Sequence, residues 1–200
     1  MTLDHFAHKS KSWDMNSKRV KNAKSIAEKI IQKINLKPSM KVMDFGAGTG
    51  LLSYFIAPYV EIVVAVDNSP SMLEKFKEKA PEFACQTKVM QLDLAQEDIA
   101  EQFDGIISSM TIHHLENTQA LFEKLYAMLH EGGFIAIADL DCEDGSFHSD
   151  NTGVFHFGFN RVVLEKIAQK VGFKEIYFEQ ASTIQKPHQE FTVFLMTAMK

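Results

Sequence analysis

Cysteine is nearly absent from this 200-residue chain: Cys85 and Cys142 stand in unrelated contexts and form no CxxC pair. That excludes a disulfide framework and leaves too few thiolates for structural zinc, so two reduced thiols are expected. Long apolar runs are missing as well. None approaches the ~20 residues that a membrane-spanning helix needs, so no membrane span is expected. The start Met1-Thr2-Leu3-Asp4-His5-Phe6 has neither the cationic opening nor the apolar core of a secretion signal, so a cytoplasmic protein is expected. Net positive charge is lacking too. The chain carries −5 overall, and because residues 1–41 hold +7, the other 159 carry −12. An acidic main body argues against a long nucleic-acid groove, where many phosphates must be neutralised, and no nucleic acid is expected as partner. What remains is a chain with 46% hydrophobic residues, ordinary for a globular protein and long enough to bury a core as one domain over 1–200.

Glycine is sparing but concentrated. Three of the ten fall in Val42-Met43-Asp44-Phe45-Gly46-Ala47-Gly48-Thr49-Gly50, just before an apolar run that begins at Leu51. An apolar strand here ends in a carboxylate, and a helix pattern follows the glycines. Glycine permits a sharp turn at positive φ and lets a ligand approach the backbone without meeting a Cβ, so this turn reads as a binding site. The next apolar run, Ile62-Val63-Val64-Ala65-Val66, ends in Asp67. A carboxylate about 20 residues beyond a glycine turn can accept both hydroxyls of a ribose, which makes the stretch a nucleoside-binding βαβ unit. In the dinucleotide fingerprint the third glycine lies three residues past the second and the helix faces a pyrophosphate. Gly48 and Gly50 are only two apart, which disfavours a nicotinamide-dependent oxidoreductase.

At these residues the sequence resembles the class I S-adenosylmethionine-dependent methyltransferases. Asp44-Phe45-Gly46-Ala47-Gly48-Thr49-Gly50 is similar to their first motif and Val66-Asp67-Asn68-Ser69 to their second. Gln91-Leu92-Asp93-Leu94 and Phe103-Asp104-Gly105-Ile106-Ile107-Ser108-Ser109 resemble the third and fourth, and the likeness runs from about Lys41 to the C-terminus. It implies an α/β fold: a Rossmann-like, doubly wound, seven-stranded sheet of order 3-2-1-4-5-7-6 with strand 7 antiparallel. It also implies S-adenosyl-L-methionine as cofactor. That molecule has no phosphate but carries an ammonium and a cationic sulfonium, for which Asp44 is a sensible neighbour. Gly46, Ala47, Gly48 and Gly50 are then expected around the methionine moiety and Asp67 with Asn68 at the ribose. Met72, Asp93 and Leu94 are expected at the adenine, and Ser109 and Met110 on the cofactor floor. Met72 and Asp93 also have plain readings, as a core side chain and a turn or cap residue.

Along the rest of the chain, apolar residues from Val20 to Ile34 recur at helical spacing over Ser17 to Asn35, opposite Lys21, Lys24, Lys29 and Lys33. Asn16 or Ser17 can cap this helix. Before it, Phe6, His8, Trp13 and Asp14 resemble the entry segment of small-molecule methyltransferases, including those of quinone biosynthesis. By that resemblance residues 1–36 form an N-terminal lid and helix, with Phe6 and Trp13 over the site; a tail with an incidental tryptophan is the other reading. Ser69-Pro70 should open a second helix, and a third should run from Asn117 or Thr118 to Leu129, ended by Gly132-Gly133. Phe134 to Ala138 should be the fifth strand, followed by a solvated acidic turn at Asp139, Asp141, Glu143 and Asp144. A helix from Asn160 to Val171 and strands Lys174 to Gln180 and Glu190 to Met199 complete the pattern.

Ligands of a parallel sheet sit at the carboxyl ends of its strands, which puts Ser109-Met110-Thr111-Ile112-His113-His114-Leu115 beside the transferred group. The Asn/Asp-Pro-Pro-aromatic motif of enzymes that methylate base or glutamine amino groups is absent here. Ser108 and Ser109 cannot supply the Asp of metal-dependent catechol-type enzymes. What remains resembles the small-molecule group with His-His-Leu after the fourth strand. Either His113 or His114 can serve as a base near neutral pH, or as a packing residue. Consecutive helical residues project about 100° apart, so no metal is expected on the pair. Residues 140–159 form the longest stretch without a period and carry His148, His156 and four phenylalanines. They read either as a substrate-side roof or as a packed surface loop. The expected function is methyl transfer to a small-molecule acceptor by a monomer or homodimer. The rival from another class is a non-catalytic cofactor-binding partner of an active enzyme.

Overall fold

The computed structural model describes residues 12–200. Seven strands form one sheet of order β3-β2-β1-β4-β5-β7-β6, the order that the resemblance implies. They are β1 (Lys41–Phe45), β2 (Ile62–Asp67), β3 (Gln86–Gln91), β4 (Phe103–Ser109), β5 (Leu129–Leu140), β6 (Lys174–Gln185) and β7 (Glu190–Met199). Strands β1 to β5 pair in parallel, while β7 runs antiparallel between β5 and β6. The central strands are buried on both faces, which explains their unbroken apolar runs.

Successive side chains of a strand point to opposite faces, so each strand feeds two cores. Val42, Val63 and Ile107 pack with Ile26, Ala27 and Ile30 of α1 (Ser17–Lys33) and with Leu52 and Ile56 of α2 (Leu51–Ile56). Met43, Val64 and Ile106 pack on the other face with Leu121 and Phe122 of α4 (Thr118–Ala127) and Leu164 and Ala168 of α5 (Arg161–Val171). Helix α3 (Pro70–Lys79) places Leu73 and Phe76 beneath Ala47 of the glycine turn. Capping follows residue type. The Asn16, Ser69, Asn117 and Asn160 side chains accept backbone N–H groups at the starts of α1, α3, α4 and α5, each satisfying a donor that the first turn cannot.

The largest boundary differences from the sequence expectation, at α4, β5 and β6, arise because tertiary pairing overrides local signals. Helix α4 stops at Ala127 instead of reaching the glycines, because Leu129 is already a strand residue paired with Phe103. Gly132 and Gly133 lie inside β5 beside its register irregularity. Strand β6 continues through Ser182–Gln185, which pair with Val193–Glu190, although their polarity suggests a turn. That extension meets α1, where the Ser25 hydroxyl donates to the Ala181 carbonyl at 2.7 Å and Ser182 bonds Asn22. Among the described residues no helix is long and apolar enough to cross a membrane.

Candidate active site

The carboxyl ends of β1, β2 and β4 meet at the glycine turn. Gly46 and Ala47 donate their N–H groups to the Val66 carbonyl at 2.8 and 3.2 Å, which folds the turn back over β2. Asp67 completes the fastening: one carboxylate oxygen accepts from Gly48 N and the other from Ser69 N, both at 2.8 Å. Exposed Asn68 lies between them in sequence.

The glycines do different work. At Gly46 (φ +69°) a Cβ would lie 2.2 Å from the Thr111 side chain, and at Gly50 it would meet the Phe76 ring at 2.6 Å. These two allow close packing. Gly48 (φ +54°) has nothing within 4 Å of that position, so the opening before the turn belongs to Gly48 alone.

Asp44, at the carboxyl end of β1, is fully buried and accepts from the Ser53 hydroxyl of α2 at 2.5 Å. Burial pushes its carboxyl up to about 7, with the Ser53 bond opposing and the Asp67 charge adding to the rise. A carboxyl so placed favours a cation nearby.

The other expected cofactor contacts are spread along the same sheet edge. Met72 is buried in the first turn of α3, its N–H given to the Ser69 hydroxyl. Asp93 serves its own turn, accepting from Ala95 N and from the Gln96 amide, both at 3.0 Å. Leu94 has a buried side chain and a carbonyl that accepts from Lys124 at 3.0 Å. Ser109 ends β4, and Met110 adopts φ +57°, its N–H bonded to the Ala138 carbonyl at 2.8 Å. A positive φ at a methionine is a strained conformation held by the neighbouring strand. Phe6 and His8 lie outside the described residues. Trp13 packs beneath the Arg19 guanidinium at 3.7 Å, and Asp14, to which the sequence assigned no role, accepts from the Thr49 hydroxyl at 2.5 Å and pairs with Lys79. The chain before α1 is thus tied to the glycine turn and to α3.

Beyond Met110 the chain makes a short 3₁₀ turn, Ile112–His114. Here the acidic stretch after β5 departs from expectation, because Asp139 is no part of a solvated turn. It is wholly buried at the end of β5, where it accepts from His113 Nδ1 at 2.7 Å, from Leu140 N at 2.8 Å and from His113 N at 3.3 Å. Its signal was the one that marked Asp44 and Asp67, an apolar strand ending in a carboxylate. His113 is as buried as its partner. Its Nε2 has no hydrogen-bond partner among the described residues.

Residues 141–159 close over this pair. Phe155 N and His156 N donate to the His113 carbonyl at 3.0 and 3.2 Å, and His114 Nδ1 lies 2.7 Å from the Gly153 carbonyl. The His148 ring stands 5.0 Å from that of His113 and 5.8 Å from that of His114, while the adjacent pair are 4.2 Å apart. The segment is held at its base, where Arg161 forks onto Asp141 at 2.6 and 2.7 Å and Asp141 bridges to Phe159. Burial raises the Asp141 carboxyl, but the bonds from Arg161 and Thr192 outweigh it and hold the group below its ordinary value. Among the described residues no group of three His, Cys, Asp or Glu is arranged to hold a metal ion.

A sheet of this order with an open glycine turn after β1 and a carboxylate at the end of β2 defines a Rossmann-like nucleoside-binding fold. Residues 42–133 match the family model described as a methyltransferase domain. An uncharacterized methyltransferase of Schizosaccharomyces pombe is 33% identical over 138 residues, covering 61% of this chain and 49% of that protein. Phosphoethanolamine N-methyltransferase 1 of Arabidopsis thaliana is 32% identical over 114 residues, covering 56% of this chain and 23% of that protein. The chain therefore spans half or less of the length of these relatives. Among solved structures, phosphoethanolamine N-methyltransferase 2 of Haemonchus contortus, in complex with S-adenosyl-L-methionine, superposes with a TM-score of 0.73 at 17% identity, covering 100% of this chain and 60% of that one. By these matches residues 42–133 are similar to a methyltransferase domain and the sheet has the fold of solved methyltransferases, which makes S-adenosylmethionine the cofactor to test against the site. The residues of the turn fit that cofactor: open space at Gly48, a buried acid, Asp44, near the end of β1 and a second acid, Asp67, at the end of β2.

Proposed function

We propose that this protein transfers the methyl group of S-adenosylmethionine to a small-molecule acceptor, acting in the cytoplasm as a single-domain monomer or homodimer. The observation that carries the reading is the open space before Gly48, whose N–H is held by the Asp67 carboxylate, with the buried Asp44 carboxyl at the end of the preceding strand. When bound, the cofactor supplies a methyl group already activated on a cationic sulfur. The protein's part is to align the reactants and exclude water, and alignment of this kind contributes about 7–11 kcal/mol to lowering a barrier.

In this assignment the Gly46-Ala47-Gly48 backbone receives the methionine end, with Gly50 setting the start of α2 and Asp44 providing the negative field below. Asp67 exchanges its Gly48 and Ser69 bonds for ribose hydroxyls, beside Asn68. Met72 and Leu94 pack at the adenine and the Asp93 turn addresses its edge, while Ser109 and Met110 form the floor and Trp13 with Asp14 closes the entry. The 141–159 segment is the roof of the acceptor side, and His114 positions the acceptor beneath it. Relatives named for phosphoethanolamine make small protic amines the first acceptors to try.

Calorimetry with S-adenosylhomocysteine on wild type and Asp67→Ala tests the donor assignment. Loss of affinity in the variant is expected, and unchanged affinity refutes the ribose contact. Release of S-adenosylhomocysteine during incubation with candidate acceptors separates an enzyme from a cofactor-binding partner that has no acceptor.

A further inference from the structure

We propose that His113 and Asp139 form a proton-accepting pair for the methyl acceptor, with His113 Nε2 as the atom that receives the proton and Asp139 as the residue that positions it. The inference rests on the methyl-transfer reading and deepens it, because it specifies an acceptor whose nucleophilic atom bears a hydrogen.

The argument starts from hydrogen-bond direction. A carboxylate only accepts, so the 2.7 Å contact with Asp139 requires the proton of neutral His113 to sit on Nδ1. Nε2 is then a lone pair. It is buried, and no donor among the described residues reaches it. Leaving a buried imidazole nitrogen unbonded is costly, and a packing histidine would avoid that cost by turning toward a donor. Asp139 prevents the turn, since its own position at the end of β5 is held by Leu140 N and His113 N. The pair therefore holds the Nε2 lone pair away from every protein donor among the described residues.

Its place suits the task. Thr111, two residues before His113, packs on Gly46 of the cofactor turn, so the turn bearing His113 abuts the donor side. The titratable groups around the ring are Asp139 on β5, His114 on the same turn and His148 from the covering segment. His114 also gives Nδ1 to an acceptor, but that acceptor is the neutral Gly153 carbonyl, whereas the Asp139 carboxylate beside His113 stabilises the imidazolium that proton uptake creates. In the step proposed, a lone pair of the acceptor N–H or O–H atom forms the new bond to the methyl carbon. The sulfur–methyl bond breaks with its electron pair going to sulfur, and the acceptor's proton passes to Nε2. The imidazolium so formed lies beside the Asp139 carboxylate. Solvent removes the proton when the covering segment opens.

The first test reads the proton directly. The full chain, ¹⁵N-labelled and saturated with S-adenosylhomocysteine, is studied by long-range ¹H–¹⁵N correlation at pH 8, with His113 assigned by its loss in His113→Asn. The expected result is a proton on Nδ1 and a bare Nε2, with Asp139→Asn moving the proton to Nε2 and Asp139→Glu leaving it on Nδ1. A proton on Nε2 in the wild type, or a tautomer indifferent to Asp139→Asn, overturns the proposal. If Asp139→Asn does not fold, the wild-type tautomer decides.

The second test offers phosphoethanolamine, catechol, benzoate and dimethyl sulfide with S-adenosylmethionine. With any protic acceptor that reacts, Asp139→Asn should lower kcat by about a hundredfold or more, leave the KM for S-adenosylmethionine unchanged and abolish the rise of rate with pH. Asp139→Glu should recover part of the rate. Turnover of benzoate or dimethyl sulfide alone, neither of which has a proton to give, or an Asp139→Asn defect that leaves the pH profile unaltered, also overturns it. Where none of the four reacts, the tautomer alone decides. Wild-type protein that fails to bind S-adenosylhomocysteine removes the methyl-transfer reading itself. Protein that binds it while holding the proton on Nε2 removes only this proposal.

Discussion

The two halves of the candidate site are made in opposite ways. The donor half comes from one short span in which strand, glycine turn, helix and strand follow one another, and its polar groups are largely bonded: Asp67 to Gly48 and Ser69, Asp44 to Ser53. The proposed acceptor half is gathered from residues 109–115, 139 and 148–156 and includes an imidazole nitrogen with no partner among the described residues. A cofactor shared by a whole family can be met by a local, self-satisfied motif. An acceptor peculiar to one protein needs groups held open by distant parts of the chain.

The contrast can be strained first at Asp44. Its raised carboxyl means that the folded state prefers the protonated form, so its stability is fully present below the ordinary carboxylate value and falls as pH rises from there toward about 7. The cost above that pH is on the order of 4 kcal/mol. Asp44→Asn should therefore raise the urea midpoint at pH 8 far more than at pH 4, while weakening S-adenosylhomocysteine binding. For the wild type, affinity for this ammonium-bearing ligand should rise with pH up to about 7 and level off beyond.

The glycines sharpen the same comparison. Gly46→Ala should cost about 3 kcal/mol of unfolding free energy, because its Cβ meets Thr111 as well as adopting a positive φ. Gly48→Ala should cost only about 1 kcal/mol in denaturant melts, since nothing stands in its way, yet lose cofactor binding by calorimetry because the methyl group fills the opening. Equal effects of the two would deny that the glycines divide into packing and binding roles.

Asp67→Ala, which removes a charged acceptor, should weaken S-adenosylhomocysteine by roughly tenfold to a hundredfold in calorimetry. The smallest effect belongs to the base of the covering segment. Arg161→Met should cost about 1–2 kcal/mol in chemical denaturation, allowing for partial exposure of the pair. Because the Asp141 carboxyl is depressed, that contribution is present above the ordinary carboxylate range and lost as pH falls through the lowered value. Cofactor affinity should not change.

Much of the donor half is legible in the sequence because its information is local. Three glycines between an apolar strand and a helix pattern, then a strand ending in Asp67, can be read without knowing what lies across the sheet. Two details of the half are not. Gly46 and Gly50 are required by Thr111 and Phe76, which a linear reading cannot place beside them, and Asp93 satisfies its own turn. Asp139 reads as solvated because the residues after it are acidic, although it directly follows the apolar run from Phe134 to Ala138. Nothing in the spacing of His113 and Asp139 predicts that they touch.

The sequence alone determined the order of elements along the chain, the methyltransferase resemblance and the cofactor that it implies, since periodicity, capping and turn chemistry act over a few residues and one resemblance ties them together. Only the tertiary structure decided which glycine of the turn faces open space, which histidine is buried and which of its nitrogens has no partner among the described residues. Those properties depend on burial and on hydrogen-bond partners brought from strands far apart in the chain, and neither is written in any stretch short enough to be read by itself.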